Sequence, residues 1–319
     1  MADVDPLPPL PVEEYNIVPF TTLNDEQLDA IVDRHRLSFD GPIVPMATNG
    51  VVHALWALGN RYVLRVPKRE SMSLGDLRAE VVAIPIARAA GVRTPALVAF
   101  DDACDIVDVP YAIVDRVHGV DLTALALDDP RSADLYQQLG HQLAALHLSP
   151  LPNTHPWLRT PQAWASVATI DETVAAGMLD QASARWFHAI LLELESAPGA
   201  VRFLHNDVKP DNLMVDVQGQ LVLIDWGDAG VGDPAFDFAT LPAAAIAETL
   251  VGYRSIIGQS AEPHLEQRII HGAISRAVSG LRRSPLTGPS WYRPVAAGLA
   301  DLLTFATDHP DTWHHWIGR

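Results

Sequence analysis

Phe203 to Thr240 reads FLHNDVKPDNLMVDVQGQLVLIDWGDAGVGDPAFDFAT, and the spacing of its polar residues decides the fold. His205-Asn206-Asp207-Val208-Lys209-Pro210-Asp211-Asn212 reads as a loop, because Pro210 and the Asn and Asp residues disfavour regular structure. Leu213 to Val215 and Leu221 to Ile224 are short apolar runs separated by Val217-Gln218-Gly219-Gln220, which predicts a β-hairpin. That hairpin hangs Asp207 and Asn212 at one end of a rigid element and returns Asp225 beside them. Two carboxylates and an amide gathered there are the oxygen groups that phosphoryl-transfer chemistry needs.

These residues resemble the catalytic segment of the protein-kinase-like fold, and specifically of the aminoglycoside phosphotransferase family of small-molecule kinases. His205, Asp207 and Asn212 fall on the kinase pattern H-x-D-x-x-x-x-N, and Asp225 opens Asp225-Trp226-Gly227, the place of a second, metal-binding Asp. The Trp after that Asp, and the later Gly232-Asp233-Pro234-Ala235-Phe236-Asp237, are similar to the antibiotic kinases rather than to protein kinases. No Ala-Pro-Glu activation segment follows. The resemblance implies an α+β chain with a two-lobed protein-kinase-like fold, a small antiparallel-sheet N-lobe and a larger, mainly helical C-lobe. It implies a nucleotide-binding lobe to the hinge over 41–117 and a catalytic, substrate-binding helical lobe over 118–319, while residues 1–40, outside the resemblance, are expected to form an N-terminal extension with a helix.

In the roles so implied, Asp207 is the catalytic base that orients the acceptor hydroxyl in line, and Asn212 and Asp225 hold Mg2+. A γ-phosphoryl group in a loose transition state needs positioning and charge neutralisation rather than covalent help, and magnesium is satisfied by one or two side chains plus phosphates. Lys209, two residues after the base, resembles the protein-kinase Lys that contacts the γ-phosphate, which makes it a catalytic charge stabiliser. Asn206 stands where the family usually has Gly, and an Asn can still adopt the left-handed backbone such a turn requires.

Upstream, Asn24-Asp25-Glu26-Gln27 predicts a capped helix to about Arg36, with Leu28, Ile31 and Val32 at helical spacing to pack on the first lobe. From Ile43 the pattern becomes a strand meander: Ile43-Val44-Pro45, Val51 to Leu58, a Gly59-Asn60 turn, then Arg61 to Val66. Asn49 and Gly50, in the turn Ala47-Thr48-Asn49-Gly50, sit where a kinase covers the phosphates, although neither G-x-G-x-x-G nor a P-loop is present. By resemblance Arg65 replaces the strand Lys that touches the α- and β-phosphates, with Lys68 as its rival and Glu80 as its helical partner. An Arg there keeps the charge but is bulkier and forked. Pro85 inside the helical pattern predicts a kink or break. Pro110 to Asp115 leads into Arg116-Val117-His118-Gly119, where the resemblance implies a hinge whose Asp115 carbonyl and Val117 N–H meet the purine of ATP or GTP.

Ser132 is expected to cap a helix carrying Leu135, Leu139, Leu143 and Leu146, on which His141 and His147 are packed or surface imidazoles. Residues 151–200 add Trp157, Trp164 and a helix with Phe187, Ile190, Leu191 and Leu194, and three more helices are expected near 243–256, 263–282 and 292–306. Trp313-His314-His315-Trp316 reads as a tail packing its tryptophans on the helical lobe, since adjacent histidines face different sides of a helix.

A chain of 319 residues can bury a sizeable core. A single Cys104 forbids an intrachain disulfide and points to a reducing cytoplasm. No apolar run reaches membrane-span length and no signal peptide opens the chain, so neither a membrane nor an export route is expected. The net charge of -17 argues against nucleic acid and suits a cationic acceptor, although eight acids and no Lys or Arg fall within residues 1–33. The expected activity is Mg2+-dependent transfer of a nucleotide γ-phosphate to a hydroxyl of a small molecule, foremost an aminoglycoside or macrolide antibiotic. The alternatives are a metabolic kinase for a sugar, choline-like amine or amino alcohol, and a catalytically inactive nucleotide-binding relative.

Overall fold

The computed structural model describes residues 18–47, 52–125, 129–160, 167–194, 199–281 and 297–318. The proline tract Pro6 to Pro11 and Trp164 lie outside the described residues. The first element, α1 (Asp25–Arg34), carries the expected capping box: the Gln27 N–H donates to Asn24 Oδ1 at 2.9 Å and the Asn24 N–H to Gln27 Oε1 at 3.1 Å.

Five strands and one long helix follow: β1 (Ile43–Pro45), β2 (His53–Leu58), β3 (Tyr62–Pro67), α2 (Ser71–Ala89), β4 (Leu97–Asp101) and β5 (Tyr111–Asp115). The strands form an antiparallel sheet in the order β1-β2-β3-β5-β4. Strand period two sends Tyr62, Leu64 and Val66 into one cluster with Leu28 and Ile31 of α1, and turns Arg65 to the face that α2 covers. Helix α2 runs on through Pro85, so the proline does not break it. The proline forfeits one backbone hydrogen bond, while Leu77, Ala83, Ile84 and Ala87 stay buried along the helix.

The second lobe contains β6 (Gly119–Asp121), α3 (Ser132–Leu148), α4 (Val167–Ala175), α5 (Gln181–Leu194), β7 (Arg202–Leu204), β8 (Leu213–Asp216), β9 (Leu221–Leu223), β10 (Gly230–Gly232), α6 (Ala243–Ile257), α7 (Leu265–Gly280), α8 (Ala297–Asp308) and α9 (Pro310–Trp316). The predicted hairpin is β8–β9, extended by β6 on the other edge of β8, and β10 pairs with β7. Ser132 does not cap α3 but is its first residue, with Arg131 in the cap position. The entry is set instead by Asp129, whose side chain and carbonyl accept the Arg131 and Ser132 N–H groups, each at 2.9 Å.

Helices α3 and α6 cross backbone to backbone. A Cβ on Gly140 would lie 2.1 Å from the Thr249 carbonyl oxygen, and one on Gly252 would lie 2.1 Å from that of Gln137. The tail packs as expected, with buried Trp316 stacked on Phe305 at 5.0 Å between ring centroids. Among the described residues no helix is long and apolar enough to cross a membrane.

Candidate active site

The loop between β7 and β8 is fixed from below by a buried carboxylate. Asp237 Oδ2 accepts the His205 N–H at 3.1 Å and Oδ1 the Asn206 N–H at 2.6 Å. Asn206 has φ +66°, the left-handed conformation its identity allows, and its side-chain amide donates to the Asp228 carbonyl at 3.0 Å. His205 Nε2 lies 3.0 Å from the Ile224 carbonyl oxygen and its ring lies 4.5 Å from that of Trp226, which joins the loop to the segment following β9.

Asp207 emerges from this support flanked by two donors. Lys209 Nζ stands 2.6 Å and Asn212 Nδ2 2.9 Å from Asp207 Oδ2. Burial opposes the Lys209 charge, but Asp207 outweighs it and holds the ammonium's pKa above its ordinary value. The backbone N–H of Ile224 donates to the Asn212 carbonyl at 3.0 Å, so the hairpin returns Asp225 beside Asn212 as its spacing predicts. Asp225 has φ +67°, uncommon for a residue with a side chain and a pointer to a functional constraint.

The sheet lobe supplies the counter-charges. Arg65 Nε is 2.8 Å from Glu80 Oε2 and its Nη2 is 3.3 Å from Asp225 Oδ1, so one guanidinium ties β3 to α2 and to the segment after β9. Burial works against the Arg65 charge, and Glu80 and Asp225 overcome it. Burial pushes Glu80 up to about 7, with Arg65 opposing. For Asp225 burial is outweighed by the Arg65 charge, with Lys209 adding to it, and the carboxyl stays below its usual range. Lys68, the rival cation, points its ammonium over the Phe20 ring at 4.6 Å instead.

Asp115 and Val117 line one cavity between the lobes with Arg65, Glu80 and Asp225, against the apolar side chains of Leu55, Val63 and Met214. The Val117 N–H donates to no group among the described residues, whereas the Asp115 N–H is spent on the Ala96 carbonyl at 2.9 Å. Asn49 and Gly50 lie outside the described residues.

Asn212 and Asp225 offer side-chain oxygens of the kind a hard cation takes. Asn212 spends its amide N–H on Asp207, and its side-chain oxygen accepts no hydrogen bond among the described residues. Asp225 adds a carboxylate oxygen, and two such side chains suit Mg2+ that takes its remaining ligands from phosphate and water.

Sequence reasoning missed several parts of this site. His53 on β2 places Nδ1 3.1 Å from Arg65 Nη2, and burial and the Arg65 charge keep its imidazole well below the usual range, free to accept that hydrogen bond. Asp76, one helical turn before Glu80, pairs with Arg159. Burial, and then Asp228, push Asp76 up to about 7. Burial and Asp207 also raise Asp228. Asp237 stands inside a quoted motif without an assigned part, and His147 is the packed imidazole that holds it.

A sequence profile of the phosphotransferase enzyme family matches residues 47–271. No curated protein matches the chain. The GDP complex of wild-type aminoglycoside 2'-phosphotransferase-IIIa superposes with a TM-score of 0.60 at 18% identity, covering 90% of this chain and 99% of that one. Macrolide 2'-phosphotransferase type I gives 0.57 at 20% identity, covering 82% and 92%. A choline/ethanolamine kinase family protein from Mesorhizobium loti gives 0.58 at 17% identity, covering 91% and 98%. Likenesses at this level of identity establish the two-lobed fold.

Proposed function

This chain belongs to the phosphotransferase enzyme family, and on that premise we propose that it moves the γ-phosphate of ATP or GTP to a hydroxyl of a small molecule, with an antibiotic of the aminoglycoside or macrolide type as the leading acceptor. The observation that carries the reading is the Asp207 carboxylate, held between Lys209 Nζ at 2.6 Å and Asn212 Nδ2 at 2.9 Å on a loop anchored below by Asp237. Asp207 is the base: it accepts the hydroxyl hydrogen bond and aims the oxygen along the phosphoryl axis. Lys209 stands where charge develops on the transferred group. Arg65, fixed by Glu80, meets the inner phosphates, and the backbone at Asp115 and Val117 receives the purine edge while Leu55, Val63 and Met214 exclude water from its faces.

Asn212 and Asp225 would hold Mg2+, which when bound neutralises phosphate charge. The structure of aminoglycoside 2'-phosphotransferase-IIIa contains GDP, which supports a nucleotide co-substrate here. The choline/ethanolamine kinase likeness favours one second reading, an amino alcohol of metabolism as acceptor. Both acceptor classes include cations, in keeping with the net charge of -17. A cytoplasmic site of action accords with the lone, exposed Cys104.

The test is a turnover screen with Mg2+, ATP or GTP, and panels of aminoglycosides, macrolides, sugars and amino alcohols, run beside Asp207→Ala. Phosphate transfer that Asp207→Ala abolishes while it still binds nucleotide supports the reading. Nucleotide binding with no acceptor in any panel would move the acceptor to another chemical class, and absence of nucleotide binding would favour a retired enzyme.

A further inference from the structure

His155 to Arg159 runs from the helical lobe to the sheet lobe and is fastened on both sides. At the helical side the Arg159 N–H donates to the Ala229 carbonyl at 2.9 Å and its carbonyl accepts the Val231 N–H at 3.3 Å, so Arg159 forms a one-residue parallel bridge beside Gly230. Gly230 is shaped to this contact, because a Cβ there would lie 2.3 Å from the Arg159 carbonyl oxygen. At the sheet side the Trp157 ring meets Phe100 of β4 edge-on at 5.9 Å, and the Arg78 guanidinium of α2 lies 5.7 Å from its centroid.

The Arg159 side chain then enters a place where two carboxylates face each other. It pairs with Asp76 of α2, and its Nε lies 3.6 Å from Asp228 Oδ1 in the turn after Asp225. Gly227 permits the approach, since a Cβ on it would come within 2.8 Å of the Asp76 Cβ. Asp76 and Glu80 are one turn apart on the same face of α2, so whatever fixes Asp76 also sets the reach of Glu80 toward Arg65. Without the guanidinium, Asp76 and Asp228 would repel across the seam that Glu80 and Asp225 must share.

We propose that Arg159 is a positioning residue, which holds α2 and Glu80 against the turn after Asp225 and so keeps the two lobes in the arrangement that phosphoryl transfer requires. The assignment rests on the phosphotransferase reading for its consequence in turnover, but not for the mechanical coupling itself. Hydrogen exchange on the full chain tests the coupling without an acceptor. Arg159→Gln is expected to speed exchange about tenfold both in residues 71–80 and in residues 226–231, whereas Arg159→Lys, which keeps the charge, recovers part of the protection. Should Arg159→Gln fail to fold, Asp76→Asn is read in the same two segments. Faster exchange confined to residues 155–160, with α2 protected as in the parent, would overturn the proposal. In turnover, Arg159→Gln is expected to lower kcat about tenfold and leave the acceptor KM unchanged, with Asp76→Asn adding little to it because both break one contact. Full additivity of the two changes would also overturn it, while absence of nucleotide binding would count against the phosphotransferase reading and leave the exchange result standing.

Discussion

His147 Nε2 lies 3.0 Å from Asp237 Oδ2, and both side chains are sealed from solvent. The same carboxylate receives the N–H groups of His205 and Asn206, the two residues before Asp207, so a buried pair sets the pose of the loop that carries Asp207. Asp237→Ala would orphan two backbone donors and an imidazole, and is expected to cost about 3–5 kcal/mol of stability. Asp237→Asn retains one acceptor oxygen and should cost less. Urea unfolding of the three proteins measures the order, and kcat should fall in the same sequence while acceptor binding is largely kept.

Arg65 makes three polar contacts, to Glu80, Asp225 and His53, that the single ammonium of a lysine cannot reproduce. Arg65→Lys is therefore expected to weaken the site although it restores the residue usual in kinases. Loss of one charge-assisted bond, about 1.5–3 kcal/mol, corresponds to roughly a ten- to hundredfold fall in kcat/KM for nucleotide. Lys68→Ala should leave nucleotide KM close to the parent, since that ammonium sits over Phe20. Steady-state kinetics with varied nucleotide separates the two, and the reverse pattern would transfer the phosphate-binding part to Lys68.

What was legible in the sequence was local or patterned. The spacing from His205 to Asn212, the two apolar runs after it and the glycine turn at Gly219 fix the hairpin within one short stretch, and strand alternation turns Arg65 away from Leu64 and Val66. The Asn24–Gln27 box was legible for the same reason, because its partners are three residues apart. The Arg159–Asp76 pair joins residues 83 apart, and His53 meets Arg65 only through the register of two strands. No periodicity marks such pairings. Pro85 does not end its helix because propensity describes an isolated helix, whereas α2 is held by the apolar face it buries on the sheet.

Acid should loosen the N-terminal helix through His35. Its Nε2 lies 3.0 Å from the Tyr111 hydroxyl, and burial, with Asp101 opposing, holds the imidazole below its ordinary 6.5. The unfolded chain then binds more protons than the folded one below 6.5, so this contribution is complete above that pH and is lost as the pH falls toward the folded value. His35→Gln offers Tyr111 a partner that does not titrate. Its melting temperature, followed from about pH 8 to pH 5, should decline less steeply than the parent's. Parallel curves would show that His35 does not sense the change.

Mg2+ dependence gives the sharpest separation between the two proposed oxygen ligands and the proposed base. Asp225 is also an ion-pair partner of Arg65, so Asp225→Asn would leave the proposed metal site a neutral oxygen and remove one counter-charge together, whereas Asn212→Ala removes the amide oxygen and a donor to Asp207. Both variants are expected to raise the Mg2+ concentration for half-maximal turnover, Asp225→Asn by about ten- to hundredfold and Asn212→Ala by less, since a charged ligand contributes more than a neutral one. Asp207→Ala should lose turnover with its Mg2+ requirement for nucleotide binding unchanged. Titrating Mg2+ against nucleotide affinity by calorimetry in all three proteins decides the assignment. If Asp207→Ala shifts the Mg2+ curve and Asp225→Asn does not, the metal lies on the Asp207 side of the loop and the parts given to the two carboxylates must be exchanged.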